Sequence, residues 1–110
     1  MPFYLTQAKL SQDAVKGLMA NPQDRSTAVG KLLEAMGGKL HHYFFAFGEY
    51  DVVLLLEAPD NTSAAAAMMV AAGSGSVSAS KTTVLMTMEE SMASMRKAGS
   101  AAGAYRPPSA

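Results

Sequence analysis

Few side chains in this 110-residue chain are suited to chemistry, and most fall in one stretch. His41 and His42 stand next to Tyr43, Tyr50 and Asp51 follow Gly48-Glu49, Glu57 closes the run, and Tyr4 stands apart near the N-terminus. If residues 38–59 are two strands folded back at Gly48-Glu49, His42 and Glu57 become diagonal neighbours on one face. An imidazole beside a carboxylate can orient a proton transfer. Side chains alternate along a strand, so His41 and His42 part to opposite faces, as do Tyr50 and Asp51. Neither couple can then chelate one metal or form one acid–base pair. His42 with Glu57 lacks a nucleophile or further ligand, so a polar pair buried at an interface explains it as well. Turn chemistry explains the others one by one. Gly48 permits a tight bend, Tyr50 packs beside it, and Asp51 accepts from turn N–H groups.

The remaining candidates are weaker. Met88, Met92 and Met95 recur at helical spacing after Met86, which is a packing stripe before it is a soft-metal site. Gly73-Ser74-Gly75-Ser76 follows a helix, where the negative end of the dipole repels phosphate. Lys81 is an isolated charge suited to a solvated edge. Cysteine is absent, which removes disulfides, thiolate metal sites and thiol nucleophiles. Nine basic residues balance nine acidic ones, so no field attracts nucleic acid or anionic lipid. No cofactor and no metal is implied, and no catalytic residue is assigned. No signal segment is visible, and the apolar runs are too short to span a bilayer, so a cytoplasmic protein is expected.

The elements that must position these residues are legible. Residues 2–10 read as a strand, and Ser11 as the N-cap of a short helix. Asn21-Pro22 breaks that helix and starts another. Val29, Leu32, Leu33 and Met36 give the second piece a buried stripe, ended by Gly37-Gly38. Residues 40–47 and 50–57 form a hairpin with a two-residue type II′ turn, which sets Phe45 opposite Val52 and Phe47 opposite Tyr50. Asp60 or Asn61 caps a helix over residues 62–72, with Ala65, Met68, Met69 and Ala72 inward. Residues 77–86 are a fourth strand. Thr87 and Glu90 make a capping box for a last helix, with Arg96 and Lys97 in its final turn and Gly99 at its end. The order β-α-β-β-α-β, with a split first helix and an extra C-terminal helix, is a ferredoxin-like α+β sandwich. The domain spans residues 1–99. Residues 100–110 form a tail that is flexible or docks on a neighbouring subunit through Tyr105.

The hairpin implies a partner. One face carries His41, Tyr43, Phe45 and Phe47 with Tyr50, Val52, Leu54 and Leu56, a core face. The other carries Leu40, Phe44, Val53 and Leu55, too apolar for water. Only 16% of the chain is charged, against roughly 25% in soluble domains, so apolar surface is left for a partner to cover. The expected partner is a second copy, sheet face to sheet face, as a homodimer or larger homo-oligomer.

At Gly48-Glu49-Tyr50-Asp51 the sequence resembles the GYD family, small bacterial proteins named for glycine followed closely by Tyr-Asp. Residues 33–40 before it, and Val52-Val53 with residues 57–60 after it, fit as well. The resemblance runs over residues 2–97, with Glu49 inserted into the strict motif. It implies a ferredoxin-like fold of the dimeric α+β barrel type, whose biochemical role is uncharacterised. Two functions are therefore expected. The first is noncatalytic small-molecule binding or assembly through paired sheets. The second is a cofactor-independent, monooxygenase-like or isomerase-like enzyme. Its pocket would lie between sheet and helices, and Tyr4, His41, His42, Tyr43, Tyr50 and Asp51 would supply the polar groups. A regulatory sensor would need a DNA-binding domain, which these residues do not supply.

Overall fold

The computed structural model describes residues 1–109. The chain runs β1 (Phe3–Leu10), α1 (Gln12–Ala20), α2 (Ser26–Ala35), β2 (Lys39–Phe45), β3 (Val52–Glu57), α3 (Asn61–Gly73), β4 (Val77–Leu85) and α4 (Met88–Ala101). A 3-10 turn over Ala102–Ala104 follows. The four strands make one antiparallel sheet in the order β2-β3-β1-β4, the ferredoxin-like arrangement.

Local chemistry sets most element ends. The Ser11 hydroxyl accepts from the Ala14 N–H at 3.1 Å and starts α1. The Asp60 carboxylate accepts from the Ser63 N–H at 2.8 Å and starts α3. Thr87 and Glu90 form the full reciprocal capping box of α4. At the end of α2, the Gly38 N–H donates to the Leu33 carbonyl (2.8 Å) and the Gly37 N–H to that of Glu34 (3.0 Å), with Gly37 at φ +79°. These are the two bonds of a Schellman motif, and only glycine adopts that φ without strain.

Several expected boundaries move. Pro22 does not open α2. Residues 21–25 form a connector, and α2 begins at Ser26, whose N–H and hydroxyl both donate to Asp24 Oδ1. Asp60 caps α3, while Asn61 is the first helical residue. The inward side of α3 is Ala64, Ala67 and Met68; Met69 is exposed. The helix is rotated from its expected phase so that Ala64 and Ala67, rather than Ala65, Met69 and Ala72, approach the sheet, with Met68 beside them. Gly99 does not end α4, which continues to Ala101 and leaves Arg96 and Lys97 short of the last turn.

The core lies between the sheet and α2 and α3. Tyr4, Leu33, Leu54, Leu56, Ala58, Ala64 and Ala67 form its buried centre, with Val29, Leu32, Met36, Leu40, Tyr43 and Met68 packed around it. Even at roughly 1.5–3 kcal/mol for a fully buried large side chain, so small a set makes a thin core.

The hairpin departs from the expected geometry at both ends. The strands part at Phe45 and Val52, as an open loop over residues 46–51 closed by the Ala46 N–H on the Asp51 carbonyl (2.6 Å). Gly48 does not take the positive φ that a type II′ turn requires, and Phe47 is fully solvent-exposed rather than paired with Tyr50. Near the other end, Leu40 lies opposite Leu56 and His42 opposite Leu55, so His41 is an extra residue in a β-bulge.

The last helix stands apart. α4 buries no residue, and its principal neighbour is the 3-10 turn that follows it. The chain measures 60 × 32 × 22 Å, with a radius of gyration of 17.9 Å. A rounded domain of this length would have about 13 Å.

Two glycines separate the sequence expectation from the geometry. A Cβ on Gly38 would run into the Glu57 carbonyl oxygen, whereas one on Gly48 would meet nothing within 4 Å. Gly38→Ala is expected to cost about 1–3 kcal/mol through overpacking, and Gly48→Ala within about 0.5 kcal/mol of zero. Urea denaturation of the two variants measures the difference. An equal loss from Gly48→Ala would contradict the open-loop geometry.

Candidate functional site

The bulge redistributes the candidate residues. Because one extra residue enters β2 between Leu40 and His42, the strand's alternation slips there. Leu40, expected on the open face, lies opposite Leu56 and packs on the core. His41, expected on the core face, turns to the open one and takes the role foreseen for His42. Its Nε2 lies 2.6 Å from Glu57 Oε1, and its ring centroid is 5.5 Å from that of Phe3. His42 remains on the open face, where it stacks on Phe44 at 5.9 Å with 13° between the rings. Both histidines therefore share one face, against the simple two-residue repeat. The His41–Glu57 pair is partly solvated, with 26% and 20% of the side chains exposed, so its electrostatic gain is screened. Among the described residues, no three His, Asp or Glu side chains converge as metal ligands would.

The other face of the sheet holds a cavity of about 780 Å³, open to solvent, beneath the helices. Leu18, Val29, Leu32, Leu54 and Met68 give it apolar walls. Polar side chains also line it, among them Thr6, Tyr43, Asp24 and Arg25, with Asn21, Gln23, Ser74, Ser76 and Ser80. The Thr6 hydroxyl is already paired with that of Thr82 at 2.9 Å. Burial pushes the Tyr43 phenol above its ordinary range; Arg25 opposes that shift and Asp24 adds to it. The cavity exists because small residues face one another across the layer. Ala14, Gly17, Ala28 and Ala71 on the helices meet Ala8 and Ser80 on the sheet. That pairing of small residues was the sequence signal for it, hidden until the strand order was known.

The remaining candidates are occupied elsewhere. Tyr4 is 1% exposed, and its hydroxyl donates to Asn61 Oδ1 at 2.7 Å. Burial, with the nearby Asp60 charge, raises its phenol above the ordinary value. Asp51 Oδ2 accepts from the Leu10 N–H at 2.8 Å, and the Asp51 N–H donates to the Ala8 carbonyl at 2.9 Å. These bonds pin the hairpin loop to the end of β1. Tyr50 lies half-buried in that loop. Of the six polar groups expected in a pocket, Tyr43 alone lines the cavity. His41 and His42, with Glu57, stand across the sheet from it.

Residues 4–95 match the GYD domain. The chain belongs to the GYD domain family. The match covers the whole βαββαβ unit and stops inside α4, at the third methionine of its stripe. The same fold is seen in a solved structure. The crystal structure of MtbAldR superposes with a TM-score of 0.54 at 15% identity, covering 78% of this chain and 52% of that one. This chain thus spans about half the length of that protein, and the likeness is one of fold. No curated protein matches the sequence. In this GYD member Gly48, Tyr50 and Asp51 all belong to the loop before β3.

The Tyr4–Asn61 bond ties β1 to the start of α3. Tyr4→Phe is expected to lower stability by about 0.5–1.5 kcal/mol at pH 7. A phenol whose folded pKa is raised stabilises the fold below its unfolded pKa and loses that contribution as pH rises through and above 10. Chemical denaturation at pH 7 and at pH 11 should therefore show a smaller alkaline loss in Tyr4→Phe than in the parent. Equal alkaline losses in the two would contradict the buried-phenol assignment.

Proposed function

We propose that this GYD protein is a noncatalytic binding and assembly module. Two copies pair through their open sheet faces, and each copy holds a small, mainly apolar molecule between sheet and helices. The observation that carries the assembly is the sheet face itself. Phe3, Leu5, Phe44, Val53 and Leu55 lie on the side away from the helices, half-buried or exposed, with no described element over them. β1 adds Phe3 and Leu5 to the residues that the hairpin alone suggested, because Leu5 lies directly opposite Leu55. Such a patch favours an isologous two-fold contact. The polar His41–Glu57 pair and Lys39 border the patch and suit its rim.

The noncatalytic reading rests on the dispersal of the polar groups. Tyr4 and Asp51 are engaged in structural bonds, the histidines are on the other face of the sheet, and Tyr43 makes no hydrogen bond to another titrating side chain among the described residues. The mainly apolar walls of the cavity suit binding. No described helix is long and apolar enough to cross a membrane. The balanced charge, nine against nine, supports partners other than nucleic acid or anionic lipid. A cytoplasmic location belongs to the same proposal.

Native mass spectrometry tests the assembly. Leu55→Asp, which sets two like charges against each other across the two-fold, should shift the population from multimer to monomer by at least tenfold. An unchanged distribution would remove the sheet-to-sheet reading. Binding of an anilinonaphthalene sulfonate probe tests the cavity. Ala71→Leu should weaken it about tenfold with the circular dichroism unchanged, and undiminished binding would overturn the cavity assignment.

A further inference from the structure

We infer that α4 pairs antiparallel with α4 of a second copy, through an interface separate from the sheet face. α4 is a 14-residue helix with no buried residue. A helix of that length is marginal in water without a packing partner. Its own chain supplies a capped N-terminus but no surface for its apolar stripe. Met88, Met92 and Met95 are 70%, 48% and 60% exposed. Their spacing of four and then three residues is that of a two-helix seam, and Gly99 takes the next seam position. A glycine there lets two backbones approach closely.

The charges beside the seam choose the partner and its direction. One flank carries Glu89 and, seven residues on, Arg96; the other carries Ser91 and Ala98. Neither Glu89 nor Arg96 belongs to an ion pair within the described residues. In a parallel pair each charged flank would meet the small, neutral flank of its neighbour. In an antiparallel pair about a two-fold axis each flank meets itself. Glu89 of each copy then faces Arg96 of the other, twice over, and the axis passes beside Met92. The same arrangement sets each helix's positive end against the other's negative end. Flanking charges of this kind set orientation and partner in helix pairs. The occupant selected by the pattern is therefore a second copy of this helix. A second two-fold contact, distinct from that of the sheets, would extend a dimer into a larger assembly.

The full chain has no cysteine, so single replacements report without background. In the antiparallel register the two copies of residue 92 adjoin, while the two copies of residue 88 lie about 13 Å apart along the helix axis. Disulfides require Cα atoms within about 7 Å. Under mild oxidation, Met92→Cys should form a covalent dimer at least tenfold more than Met88→Cys. Arg96→Glu should suppress the Met92→Cys product, and adding Glu89→Arg should restore it. The Met92→Cys product should persist in Leu55→Asp. Equal crosslinking of Met88→Cys and Met92→Cys would overturn the antiparallel direction. Absence of the Met92→Cys product, with native helix content by circular dichroism, would overturn the pairing. Its loss in folded Leu55→Asp would overturn the separateness of the two interfaces.

Discussion

A four-stranded sheet has two faces, and the helices of this chain cover only one. Everything else in the structure responds to that constraint. The covered face carries Tyr4, Thr6, Leu54 and Leu56, closed over by Leu33 and the alanines of α3. The uncovered face carries Phe3, Leu5, Val53 and Leu55, which would be core residues in a sheet clad on both sides. α4 is the one element left to serve as a cover, and it leads away from the body of the fold instead. Two apolar surfaces, a sheet face and a helix stripe, are therefore left uncovered by any described element.

The bulge at His41 refines how the open face is built. Without it, Leu40 would join the apolar patch and His41 would be forced into the core. With it, Leu40 reinforces the packing of α2 on the sheet, and His41 meets Glu57 beside Phe3. One extra residue thus moves a polar pair to the rim of the patch and an aliphatic side chain out of water. The loop over residues 46–51 has a comparable structural task. Asp51 holds the end of β1 and the start of β3 together through its side chain and backbone, while Gly48 stands in open space.

Much of this was legible in the residues themselves. The element order, the Ser11 and Thr87 caps and the Gly37-Gly38 stop follow from local chemistry that tertiary contacts do not override, and Phe45 pairs with Val52 although the two-residue turn expected to set that register is absent. The bulge was not legible, because Leu40-His41-His42 has no residue that demands a local insertion. Its cause is the packing of Leu40 on the core below. The phase of α3 was misread for a related reason. Met69 promises more buried area than an alanine, yet Ala64 and Ala67 lie against the sheet beside Met68, and Met69 is left exposed. A cavity between sheet and helices was expected from the fold resemblance, but its lining was not legible, because it is defined by missing bulk on elements far apart in the chain.

A second copy over the open sheet face, as proposed, brings methyl groups of the two copies into contact. Isotope-filtered nuclear Overhauser measurements on a mixture of ¹³C-labelled and unlabelled chains observe that contact directly. The account predicts intermolecular signals at the methyl groups of Leu5, Val53 and Leu55. Methyl groups on that face that see only solvent and their own chain, at concentrations up to the millimolar range, would contradict it.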